Sequence, residues 1–155
     1  MRPRFCSLKN EEGSSAVEFA VLLPVWLILF FGLLDYGWYL TNLIVLENAV
    51  ASGARAGVKT QYWLDENDED YKNPAEVAQK IVLSSFWLNK TLKANHISAT
   101  FLDKEQQIID MDTSEPSYTY FQVRVTDYAF EPLTGYLPEA LIPQKIGAFA
   151  MTVFP

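Results

Sequence analysis

Two side chains on which much protein chemistry depends are almost missing: the sequence has one cysteine, Cys6, and one histidine, His96. A lone cysteine closes no disulfide within the chain, and with one histidine it leaves too few soft ligands for a structural zinc site. His96 falls at a helix-to-strand junction, the setting of a polar surface residue more than of a catalyst. No glycine-rich loop follows a strand, so the usual phosphate cradle is missing. Ser84, Ser85, Ser98, Ser114 and Ser117 lack the strand–turn–helix context that exposes a nucleophilic hydroxyl. Basic residues are few, 12 Lys and Arg against 19 Asp and Glu, whereas a nucleic-acid partner calls for a basic footprint. The expectation is therefore a protein that is not an enzyme, with no cofactor, no metal, no nucleic acid and no small-molecule substrate.

What the sequence does hold is a long apolar tract near its start. Phe19–Leu34 is sixteen residues without a charge, Tyr36–Leu46 is another eleven, and Asp35 alone divides them. A hydrocarbon core about 30 Å thick takes about 20 mostly apolar residues as helix. One crossing is expected, at about residues 19–40. Before Gly13 the basic residues are Arg2, Arg4 and Lys9, against Glu11 and Glu12. After Leu34 there are nine Lys and Arg and sixteen Asp and Glu, a net of −7. Basic flanks stay cytoplasmic, so the N-terminus is placed inside and the acidic domain across the membrane. In a bacterium that domain is periplasmic and the membrane is the inner one.

Three regions follow. Residues 1–13 read as a hydrophilic leader. Residues 14–57 read as one helix, opened by Ser15 and Glu18 at capping-box spacing and stopped at Gly57. At 1.5 Å per residue it measures roughly 66 Å, far more than a bilayer. Pro24 removes a backbone donor without ending a membrane helix. Asp35, Tyr36, Trp38 and Tyr39 suit an interfacial belt. Ala49, Gly53 and Gly57 recur every four residues as a small-residue face that permits close backbone approach, either to the chain's own sheet or to a partner subunit.

Residues 58–155 form the third region, an α+β domain. Its opening stretch, with Asp65, Glu66, Asp68, Glu69 and Asp70, has dense oxygen ligands. It lacks the glycine and glutamate of a calcium-binding loop at their required positions, so it reads as solvated loop. A second helix is expected from Asn73–Pro74, with Glu76 completing a capping box, to Asn95. Val77, Ile81, Leu88 and Leu92 mark one face, with Ala78 and Ser85 beside them. Period-two alternation then gives strands at Ile97–Leu102, Gln106–Met111, Tyr118–Tyr128 and Lys145–Phe154, with the first two joined by a turn at Asp103–Lys104–Glu105. In the third strand Phe121, Val123 and Val125 share a side. In the last, Phe149, Met151 and Val153 alternate with their neighbours. A loop with Pro132, Gly135, Pro138 and Pro143 precedes the last strand. Three or four antiparallel strands can bury one face against the two helices. Trp26, Trp38, Trp63 and Trp87 read as membrane or core packing.

One constellation is sharper. Gly13 is followed by Ser14, Ser15, Ala16, Val17, Glu18 and Phe19, then by the apolar helix, with basic residues ahead of it. A carboxylate costs about 2.5–3.5 kcal/mol at the bilayer centre and less near the interface. A cut after Gly13 would give it a partner, the new ammonium group of Ser14. These residues, with AVLLPVWLILFFGLLDYG and ENAVASGARAG after them, resemble the TadE-like pseudopilins of the tight-adherence (Flp) pilus. The resemblance covers roughly residues 13–57, and more weakly residues 118–153. It implies cleavage after Gly13 by a prepilin peptidase, Glu18 as the recognition and assembly carboxylate, and other pilin-like subunits as partners. Two alternatives stand beside it. One is an uncleaved signal anchor carrying a binding domain. The other is a secreted protein cut at Ala49–Val50–Ala51, which matches an A-x-A site.

Overall fold

The computed structural model describes residues 11–60, 73–88, 91–109 and 120–153. Residues 1–10 with Cys6, residues 61–72 with the acidic stretch and Trp63, and residues 89–90, 110–119, 154 and 155 lie outside the described residues. Helix α1, Glu11–Val58, runs 48 residues without a break. Ser15, expected at its cap, lies inside it, because the helix already runs from Glu11. Pro24 leaves it continuous. The lost donor is a single hydrogen bond in a helix long enough to hold the turn from both sides.

Helix α2, Pro74–Ser85, starts where proline and an Asn cap direct it: Asn73 Oδ1 accepts from Ala75 N at 2.9 Å. It ends ten residues before the expected Asn95. The chain leaves helical geometry at Phe86 (φ −88°, ψ 82°), which turns that ring into the core, edge-on to Tyr128 at 5.5 Å. Its buried face also differs from expectation. Pro74, Ala78 and Val82 face inward, while Val77 and Ile81 are only half-buried. Both sets follow four-residue spacing. The set with small side chains wins because α1 must come close. The early helix end also leaves Trp87, expected in core or membrane, 74 % exposed.

The sheet is antiparallel throughout, in the order β2-β1-β3-β4. Strand β1 is Ile97–Leu102 and β2 is Ile108–Ile109; of the expected Gln106–Met111, Gln106 and Gln107 precede the strand, and residues 110 and 111 lie outside the described residues. They are joined through a turn in which Gln106 takes φ 61°. Strand β3, Tyr120–Ala129, buries Phe121, Val123 and Val125 as its alternation predicts. A bulge between Val125 and Tyr128, with Asp127 at φ 56°, then resets the phase so that Tyr128 also faces inward. Aspartate tolerates that left-handed geometry better than most residues. Strand β4, Lys145–Val153, turns Ile146 and Ala148 inward and Phe149, Met151 and Val153 outward.

The inner sheet face closes over α2 and over Leu46, Ala49, Val50 and Ala54 of α1. The C-terminal half of α1 is therefore the central element of the domain's core. The fold is α+β: a long apolar helix, a second helix and an antiparallel sheet.

Candidate functional site

The two halves of α1 meet different surroundings. Every residue from Ser15 to Phe30 is exposed, including Phe19, Leu22, Trp26, Ile28 and Leu29. By length and composition α1 can cross a membrane, and none of its most apolar stretch is buried in the protein. The exposed half takes no part in the core that the other half of α1 helps to build. Its length and composition are those of a helix that could span a membrane once. Gly13 and Ser14 fall in its first described turns, and the helix runs on without a break through Glu18. Glu18 is exposed.

The other half is buried, and its glycines set how closely the elements approach. A methyl group on Gly53 would stand 2.5 Å from Val82 Cγ2 and 2.9 Å from the Ala78 carbonyl oxygen. One on Gly57 would collide with the Phe121 ring and lie 3.1 Å from the Pro74 carbonyl oxygen. Ala49 is buried one turn earlier on the same face. These contacts are made within the chain, with α2 and β3. Ala49 and Val50, of the alternative A-x-A site, are buried within α1.

Between the halves lies a contact that sequence reasoning missed. Asp35 is 1 % exposed. Its Oδ1 accepts from Thr134 N at 2.8 Å and its Oδ2 from Thr134 Oγ1 at 2.6 Å. Tyr36 donates its hydroxyl to the Leu141 carbonyl at 2.6 Å. The Tyr136 ring stacks on Phe31, with centroids 4.5 Å apart and planes 12° from parallel. Tyr39 meets Phe130 edge-on at 5.4 Å. The proline-containing loop between β3 and β4 thus clasps α1 from Phe31 to Tyr39. The belt expected at Asp35, Tyr36, Trp38 and Tyr39 is largely taken up by this clasp: Trp38 and Tyr39 are half-buried against the core, and only Tyr36 among its aromatics is exposed. One signal in the sequence pointed here, the isolated charge of Asp35 between two apolar runs, which calls for a hydrogen-bonding partner. No spacing rule joins it to a threonine 99 residues away.

The crevice lined by Asp35, Tyr36, Tyr39, Ile142 and Pro143 has no room for a water molecule. Among the described residues, no three His, Cys, Asp or Glu side chains come together as metal ligands would. His96 Nδ1 accepts from Lys93 N at 3.4 Å, a local contact at the start of β1. Two perturbed titrations belong to the sheet. The Lys145 ammonium, 2.6 Å away, holds the Asp127 carboxyl below its ordinary range, and burial pushes the Tyr128 hydroxyl up.

Against known proteins, the family model described as TadE-like protein matches residues 13–55. This agrees with the resemblance carried by the Gly13–Glu18 segment and the helix after it. No curated protein and no solved structure matches the chain.

Proposed function

We propose that this chain is a minor pilin or pseudopilin required to assemble a tight-adherence (Flp, type IVb) pilus. It is an assembly subunit, not an enzyme, and sits in the bacterial inner membrane. The observation that carries the reading is the TadE-like match over residues 13–55, which joins a fully exposed apolar half-helix to a half-helix buried in a domain. The basic leader stays in the cytoplasm and residues 58–155 lie in the periplasm. A prepilin peptidase cuts after Gly13, and Ser14 becomes the first residue. Glu18 serves as the assembly carboxylate, its charge paired with the Ser14 ammonium of a neighbouring mature subunit.

Intact mass of the membrane-bound protein tests the reading. The expected chain starts at Ser14, and Gly13→Leu leaves the full-length form. A chain starting at Met1 would instead make this an uncleaved signal anchor, and one starting at Ser52 a secreted protein.

A further inference from the structure

The loop that clasps α1 carries its own exposed apolar rim. Leu133 is 59 % exposed, Tyr136 74 % and Leu141 56 %, and no lysine or arginine occurs from Phe130 to Gln144. The loop reaches down the helix to where the exposed apolar half begins. Tyr136 lies flat on Phe31, and Leu137 Cδ1 is 3.9 Å from where a methyl on Gly32 would stand.

Length then fixes the depth of this contact. A crossing needs about 20 residues, about 30 Å of helix. Counted from Ser15 it reaches Leu34. Counted from Phe19, beyond Glu18, it reaches Trp38. On either count Phe31 and Gly32 lie within the apolar span, and the loop that touches them cannot stand clear of the bilayer. The loop is also suited to that depth. The one charge it meets there, Asp35, is buried and receives both Thr134 donors, so no bare carboxylate faces lipid. Tyr136 combines an apolar ring with a polar tip, the character that places tyrosine at membrane interfaces. Glu131 and Glu139 are exposed on the loop and can reach water while their apolar neighbours enter the lipid.

We propose that the segment Leu133–Leu141 is a collar seated in the interfacial layer of the bilayer, with Leu133, Tyr136 and Leu141 among the lipid headgroups and upper acyl chains where α1 leaves the membrane. Its occupant is the lipid surface. The boundary of the span then lies near Phe31–Asp35, short of residue 40, and the domain rests on the membrane without a gap. The proposal depends on the membrane span and not on pilus assembly.

The test uses the full chain in phosphatidylethanolamine–phosphatidylglycerol vesicles, in a Cys6→Ser background. An environment-sensitive fluorophore is attached singly at Leu133→Cys, Leu141→Cys, Leu27→Cys or Ser84→Cys. Nitroxide-labelled lipids then quench it from shallow or deep positions. At 27 the deep nitroxide should quench more. At 133 and 141 the shallow nitroxide should quench severalfold more than at 84, on the exposed side of α2. If 133 and 141 respond like 84 while 27 is quenched from depth, the collar is wrong and the span stands. If 27 is not quenched either, the membrane span fails and the collar with it.

Discussion

A methyl group added at Gly53 measures how tightly the buried half of α1 is held. In the helix interior, glycine to alanine should stabilise by about 0.5–1 kcal/mol through lost chain entropy. The site opposes this. The new carbon would sit 2.5 Å from Val82 Cγ2 and 2.9 Å from the Ala78 carbonyl oxygen. Val82 is fully buried and stiff at its branched carbon, and the carbonyl belongs to the α2 backbone, so relief requires the two helices to separate. Overpacking of this kind costs about 1–3 kcal/mol, and the net effect should be a loss near 1 kcal/mol. For a domain of this size that lowers the melting temperature by about 4–8 °C. Gly37 is the control, since nothing lies within 4 Å of its added methyl, and Gly37→Ala should not lower the transition. The assay is thermal loss of the near-ultraviolet aromatic signal in detergent, where the apolar half of α1 stays helical and does not mask the domain. A Gly53→Ala protein as stable as the parent, with Gly37→Ala also unaffected, would refute close contact between α1 and α2.

The remaining tests address single groups. Thr134→Val keeps shape but removes the hydroxyl donated to buried Asp35; a hydrogen bond to a charged group is worth about 1.5–3 kcal/mol, so the same melt should fall by several degrees while Thr134→Ser stays near the parent. An unchanged Val variant would mean the hydroxyl bond is not formed. The Asp127 carboxyl should titrate below its ordinary 3.8 by carboxyl NMR, and Lys145→Met should bring it back up. Because the folded value is lowered, the stability tied to this pair is present above the ordinary value and is lost as pH falls through the folded one; a midpoint indifferent to Lys145→Met would break the assignment. Glu18→Gln keeps the size and shape of the side chain but removes the charge. It should insert and be cleaved after Gly13, yet fail to crosslink to other pilin-like subunits and leave cells without pili. Normal piliation would return Glu18 to a local role in the helix.

Legibility in the sequence followed the range of the interactions. Helix α1 and its exposed half could be read because the twenty-eight residues from Phe19 to Leu46 are uncharged apart from Asp35. The inward side of β3 could be read because each of its first residues meets a different environment from the next. The buried face of α2 could not: Val77 and Ile81 look more hydrophobic than Pro74 and Ala78, and the choice was made by Gly53 on another helix. The bulge at Asp127 and the bond from Thr134 to Asp35 also depend on distant partners. In the candidate site, Gly13, Ser14 and Glu18 were visible as a spacing whose meaning came from family resemblance. Ala49, Gly53 and Gly57 were visible as a small-residue face, whereas the surfaces they meet needed the fold.

The division of α1 has a mechanical consequence. The helix is continuous from the exposed segment into the domain core, and at the junction the clasp of Thr134, Tyr136 and Leu141 binds it from the side. No flexible linker stands between them, so a rotation or vertical shift of the apolar half is passed on to the sheet as a rigid-body motion. A tethered binding domain would be served by a loose joint, since freedom widens its reach. A subunit whose membrane contacts must fix the orientation of its outer domain needs the opposite. Gly53 and Gly57 hold the helix against α2 and β3 with no space for even one further methyl, and this stiffness is what the proposed assembly role would use.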